Sequence, residues 1–218
     1  MFMKKVDLLR RSAAGLVLGM VVLLANSAQA MDWYVDPLGT DAIGKGTGPG
    51  TDAYRTIRFG VGHMTNAVNP TTAATDILHV AAGYYTEPNI IINSNGVISG
   101  AGPGQTIVQA TSSWSPFATS SATTSNVFTI VSKTLPLGTA TTNITLANMT
   151  IRYGYANGGG AGIAANASAN TYDPILTVSN CVVCSNLQYA ISSGNPGGAS
   201  FCFGEWIEFC VIINGRVV

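Results

Sequence analysis

From residue 77 onward the apolar residues come in short runs that alternate with Ser, Thr and Asn and break at Gly or Asn. Ile77-Leu78-His79-Val80 leads into Ala82-Gly83-Tyr84-Tyr85, and Ile90-Ile91-Ile92 stops at Asn93-Ser94-Asn95-Gly96. Val97-Ile98-Ser99 stops at Gly100-Ala101-Gly102-Pro103-Gly104, and Thr106-Ile107-Val108-Gln109 follows. Runs this short, β-branched and with a period of two predict strands and not helices. Three strands separated by Gly or Asn corners describe one turn of a three-sided coil. The Ser/Thr-rich stretch 111–125, with Trp114 and Phe117, reads as an excursion loop, and Val127-Phe128-Thr129-Ile130 resumes the pattern.

One phrase then occurs twice. Ile144-Thr145-Leu146-Ala147-Asn148-Met149-Thr150-Ile151-Arg152 returns as Leu176-Thr177-Val178-Ser179-Asn180-Cys181-Val182-Val183-Cys184, at a constant offset of 32 residues. A repeat of this length, built from β-branched residues, predicts an all-β solenoid of stacked strands. It places Asn148 and Asn180 in one corner ladder. It also aligns Cys181 with Met149 and Cys184 with Arg152, which predicts Cys181 as a small core residue and Cys184 as an outward one. The Cys181-x-x-Cys184 spacing alone does not build a zinc site, because a second CxxC or a His pair is missing from the chain. Gly158-Gly159-Gly160-Ala161-Gly162 is a wide turn that lacks the Asp of the calcium-binding nonapeptide.

Ahead of the strands, Tyr54, Ile57, Val61, Met64 and Val68 form one helical stripe. The spacing predicts a helix over 54–68 with Asp52 as its N-cap and Asn69-Pro70 as its stop. Gly60 and Gly62 weaken it by about 1 kcal/mol each relative to Ala, so it needs a surface to lie on. It is predicted to cover the exposed end of the first coil, with Ile57, Val61, Met64 and Val68 facing the strands.

Residues 1–30 read as a signal peptide: Lys4, Lys5, Arg10 and Arg11, then the apolar run Ala13 to Ala25, then Ala28-Gln29-Ala30 as a small-x-small cleavage site. The run is shorter than the roughly 20 apolar residues of a membrane span, which predicts export and not anchorage. The chain has ten basic and ten acidic residues; the leader takes four basic ones and Asp7, leaving six against nine and a net charge of −3. A weakly acidic surface does not attract nucleic acid or anionic lipid. The predicted organisation is 31–70 for an N-terminal strand, Gly-rich loop and cap helix, 71–195 for the coils, and 196–218 for an atypical tail.

Several spaced motifs carry a family likeness. Tyr34-Val35-Asp36-Pro37-x-Gly39-x-Asp41, a Gly-rich gap and Tyr54-Arg55-Thr56-Ile57 before an amphipathic helix resemble the N-terminal cap of secreted bacterial right-handed parallel β-helix proteins. Ile77-x-x-Val80-Ala81-Ala82-Gly83-x-Tyr85-x-Glu87 resembles their first coil, and Gly96-Val97-x-x-x-Gly100-Ala101-Gly102 the next turn. The resemblance covers residues 31 to about 190. It implies a right-handed parallel β-helix of the pectate-lyase-like superfamily, which holds polysaccharide lyases, epimerases and hydrolases beside surface proteins without activity. Fold does not choose among these.

The residues themselves point away from catalysis. The Asn-Thr-Asp, Asp-Asp, Gly-His-Gly and Arg-Ile-Lys motifs of polygalacturonase-like members do not occur, and between 88 and 204 the acids are limited to Asp173 and the bases to Lys133 and Arg152. A lone carboxylate runs neither a two-carboxylate hydrolysis nor a hard-cation site. His63 and His79 read as structural, and Asp36, Asp41 and Asp52 as Asx-turn and cap residues and not as a calcium loop. The sequons at Asn143, Asn148 and Asn166 read as incidental. Tyr153, Tyr155, Trp114 and Phe117 are the candidates for a carbohydrate-stacking patch.

No catalytic, cofactor or metal residue is therefore assigned. The expected protein is a secreted or cell-surface β-helix with a structural, adhesive or carbohydrate-binding role, its partners carbohydrate or cell-surface components. The alternative is a polysaccharide lyase-type enzyme acting on acidic polysaccharide. After Asn195 the pattern dissolves into Phe201-Cys202-Phe203-Gly204-Glu205-Trp206-Ile207-Glu208-Phe209-Cys210. That change predicts a truncated or frame-shifted piece with an open last coil, unpaired strand edges and self-association there.

Overall fold

Alternating runs and glycine corners become strands where the pattern places them. A computed structural model describes residues 30–64, 75–113, 125–131, 133–135, 138–140, 142–156, 160–166, 174–188, 200–201 and 211–217. The predicted leader and the stacking candidates Trp114 and Phe117 lie outside these. Strand β1 (Asp32–Val35) precedes helix α1 (Ile57–His63), and the first set of strands is β2 (Ile77–Val80), β3 (Gly83–Thr86) and β4 (Ile90–Ile92). The second is β5 (Gly96–Gly100), β6 (Thr106–Gln109) and β7 (Phe128–Val131), followed by a hairpin of β8 (Lys133–Leu135) and β9 (Gly138–Ala140). Then come β10 (Asn143–Ala147), β11 (Thr150–Arg152), β12 (Tyr155–Ala156), β13 (Ile163–Asn166), β14 (Ile175–Cys184), β15 (Leu187–Gln188), β16 (Ser200–Phe201) and β17 (Val211–Val217).

Strands far apart in sequence pair in parallel, and the described residues are predominantly β, with a short α-helix and a 3-10 turn at Gly50–Asp52. The first ladder runs β1-β2-β5-β10-β14 and the second β3-β6-β11-β14; β14 passes through both and joins them into one sheet. The third ladder is β4-β7-β13. Because side chains alternate faces, each ladder turns one apolar column inward. In the first, Trp33, Leu78, Ile98, Leu146 and Val178 are in register and buried. In the second, Tyr85, Val108, Ile151 and Val183 match in the same way, and in the third Ile90, Phe128 and Ile163 do. Each fully buried side chain of this size stabilises the fold by about 1.5–3 kcal/mol.

The repeat is visible as geometry. Asn148 (φ 58°) and Asn180 (φ 48°) turn the chain through the left-handed region, as do Tyr153 (φ 59°) and Ser185 (φ 52°) one corner later. That conformation costs a non-glycine residue about 1–2 kcal/mol, and Asn tolerates it best. The predicted ladder is present: Asn180 Nδ2 donates to Asn148 Oδ1 at 2.8 Å, and Asn148 Nδ2 donates to Ser99 Oγ at 3.0 Å. Cys181 is fully buried beside Met149, as expected. Cys184 keeps its register with Arg152 on the outward line but is covered and not exposed.

Helix α1 starts later than the stripe suggests, and Asp52 is not its cap. Tyr54 bridges to Val35 in extended conformation, which holds the chain out of the helix until Ile57. The N-cap is Thr56, whose Oγ1 accepts from Phe59 N–H at 3.3 Å; Asp52 instead pairs with Lys45 at 3.0 Å. Tyr54, Ile57, Val61 and Met64 are buried as predicted, and α1 packs on β1, β2 and β4. Val68 lies outside the described residues. At the other end, β17 pairs antiparallel with β14 and β16 antiparallel with β13. The expected unpaired edges of these strands are thus occupied by the tail of the same chain.

The two helix glycines have opposite meanings. A Cβ on Gly60 would stand 2.8 Å from Leu78 Cδ1 and 2.9 Å from Val35 Cγ2, whereas one on Gly62 would meet nothing within 4 Å. Gly62→Ala should stabilise by up to about 1 kcal/mol through helix propensity. Gly60→Ala should instead destabilise by about 1–2 kcal/mol through overpacking. Thermal melts of the two variants check the sign; equal shifts would show that α1 does not press on the strands.

Candidate functional site

The outward positions of the second ladder carry an unusual line of polar groups. The register sets Thr86, Gln109 and Arg152 side by side on β3, β6 and β11. Arg152 Nε donates to Gln109 Oε1 at 3.0 Å, and Gln109 Nε2 donates to Thr86 Oγ1 at 3.0 Å. Gln109, the middle member of this line, is buried, and both ends of its amide are satisfied as burial requires. The Arg152 guanidinium lies 4.5 Å from the Tyr153 ring centroid and 5.6 Å from that of Tyr84. Tyr84 is 67% exposed. Tyr153 owes its position to the left-handed corner that follows β11.

This arrangement ties a planar cation to Gln109 through its Nε and sets it within cation–π distance of two tyrosine rings. Among the described residues, Lys45 pairs with Asp52 and His79 contacts Asp32, and Arg152 pairs with no carboxylate. A fixed guanidinium suits bidentate contact with a carboxylate or paired hydroxyls, and the tyrosine faces suit the apolar side of a sugar ring. Of the expected stacking residues, Tyr153 belongs to this face. Tyr155 is buried and bridges to Ser125, so it does not. Tyr84, which composition alone did not single out, takes its place.

A second group of polar side chains secures the cap. Asp41 Oδ1 accepts from Arg55 N–H (2.8 Å) and Thr56 N–H (3.0 Å), and its Oδ2 accepts from Thr56 Oγ1 (2.8 Å). Glu87 reaches over from the end of β3 and accepts from Ile57 N–H (2.8 Å) and Arg58 N–H (2.9 Å). With Thr56 serving Phe59, every N–H from 55 to 59 is satisfied by a side chain, which is the requirement at a helix start. Asp36 closes an Asx turn on Leu38 N–H at 2.9 Å. The three aspartates of the Gly-rich loop thus do separate local jobs. Among the described residues no three His, Cys, Asp or Glu side chains converge.

Beside this clamp, Asp41, Thr56, Arg58, Phe59, Gly62, His63, Thr86, Glu87 and Pro88 line a cleft of about 600 Å³. His63 Nδ1 lies 2.9 Å from Phe59 O, and its ring stacks on Tyr54 at 4.7 Å. His79 has the partner that sequence reasoning did not find: its Nε2 is 3.1 Å from Asp32 Oδ1 and its ring stacks on Tyr34 at 5.0 Å. The amide of Asn148 is engaged on both sides by the ladder, in keeping with a structural and not a sugar-bearing Asn. Asp173 lies outside the described residues, and of Lys133 the backbone alone is described.

Among the described residues no helix is long and apolar enough to cross a membrane. No protein-family model matches the chain, and no curated protein matches it.

Burial pushes the Glu87 carboxyl above its ordinary 4.5, with Asp41 adding to the effect, while the Arg58 and Ile57 N–H groups and the Arg58 charge pull the other way. The folded chain therefore keeps a proton that the unfolded chain releases. Glu87's contribution to stability is complete below pH 4.5 and is lost as pH rises through the raised folded value. The melting temperature of Glu87→Gln relative to the parent should thus climb as pH rises from 4.5. A falling difference would show that the two backbone N–H bonds outweigh burial.

Proposed function

We propose that this chain is an exported right-handed parallel β-helix of the pectate-lyase-like type that binds carbohydrate on its β3-β6-β11 face and does not turn it over. Three parallel ladders, a cap helix over the first strands and corners at a 32-residue spacing support the fold reading. The observation that carries the functional reading is Arg152, tied to Gln109 and set between Tyr84 and Tyr153. The guanidinium favours a sugar bearing a carboxylate, so acidic polysaccharide is the ligand class to try first. A non-catalytic role fits the surroundings of Arg152: among the described residues no carboxylate pairs with it, and lyase chemistry of the expected kind calls for several.

Calorimetric titration with galacturonic-acid oligomers tests the reading. Tyr84→Ala and Arg152→Lys should each weaken binding roughly tenfold or more, about 1.4 kcal/mol. Lysine keeps the charge but not the planar fork or its stacking. Unchanged affinity in both variants would overturn the assignment of this face. Release of unsaturated products, with or without calcium, would replace the binding role by a lyase.

A further inference from the structure

The cleft beside α1 and the polar line on the second ladder meet at one residue. Thr86 accepts from Gln109 Nε2 at 3.0 Å and also lines the cleft. Strands in a sheet are spaced about 4.8 Å apart, so Arg152 stands roughly 10 Å from Thr86 at the cleft, with the buried Gln109 joining the two. There β3 is the first strand of its ladder, and Asp41, Arg58 and Pro88 are among the residues that line the cleft. The walls are chemically mixed. Phe59 and His63 present two rings 4.8 Å apart, Arg58 is anchored through its guanidinium on the Pro88 carbonyl, and Gly62 leaves a gap that no side chain fills. About 600 Å³ is within the range of small-ligand sites.

From this continuity we infer that the cleft is a terminal subsite, which seats the last sugar of a chain lying across Arg152 and the exposed Tyr84 towards Thr86. The inference rests on the carbohydrate-binding reading of that face. Aromatic rings accept the apolar side of the terminal sugar, and Arg58 and the Thr86 hydroxyl meet its polar edge. The protein then recognises chain ends, and a long polymer offers no more sites than a short one.

Gly62→Met tests this while leaving Tyr84 and Arg152 unaltered. A Cβ at Gly62 would meet nothing within 4 Å, and Met favours a helix over Gly, so the variant should melt at or above the parent temperature while its longer side chain reaches into the cleft. Against galacturonic-acid oligomers of two to six residues it should bind at least tenfold more weakly. Titrations of short and long chains with the parent should coincide when plotted per chain end and diverge when plotted per sugar unit. Undiminished binding by Gly62→Met, with weakened binding by Tyr84→Ala, would overturn the terminal subsite and leave the face standing. Failure of the parent to bind any of these oligomers would overturn both.

Discussion

A stack of parallel strands holds together only if every strand enters at the same height with the same side inward. A slip of one residue exchanges the two faces. Here the corners enforce that height. Asn148 and Asn180 turn in the left-handed region at equivalent points, and their side chains hydrogen-bond to one another and to Ser99. Tyr153 and Ser185 repeat the device at the next corner, where Asn186 accepts from Gly154 N–H at 2.8 Å and donates to the Ile151 carbonyl at 3.1 Å. The strain of these conformations is offset by bonds that exist only in correct register. Alignment is thereby coupled to the apolar columns, and with them to the outward line of Thr86, Gln109 and Arg152.

The start of the stack is held by a different means. Helix α1 is too short to be stable alone, and its glycines weaken it further. It forms because Asp41 and Glu87, from segments on either side of it in sequence, satisfy its leading N–H groups. Gly60 then lets it settle against Leu78 and Val35. The same contacts shape the cleft, whose walls come from the Gly-rich loop, α1 and the end of β3. Cap and cleft are one structure.

Much of this was readable from the chain because repetition is a strong signal. The strands, the Asn148–Asn180 ladder, the burial of Cys181 and the apolar side of α1 follow from spacing alone. What escaped depended on pairings between distant segments. Asp52 looked like a cap because the Tyr54–Val35 bridge, which delays the helix, leaves no mark in the local pattern. Tyr84 and Arg152 are 68 positions apart and belong to no shared phrase; aligning the β3, β6 and β11 registers would have brought them together. Glu87 stood in a recognised motif, but its role as a clamp needs the position of α1. The antiparallel return of β17 onto β14 breaks the parallel rule of the stack, so no periodicity announces it.

The constant 32-residue interval has a consequence for how such a chain changes over time. Each repeat adds one strand to a ladder and one side chain to each outward line, and its corner residues carry their own hydrogen-bond partners. Tandem duplication of that stretch would therefore insert a unit whose ends already match its neighbours, lengthening the surface by about 4.8 Å without re-engineering the interior. Other lengths are taken up in the corners: Leu78, Ile98, Leu146 and Val178 stand 20, 48 and 32 residues apart and still share one inward column. The height of this surface is quantised: it grows or shrinks by whole strands, and between steps it varies through what stands on the outward side and through the length of the corners.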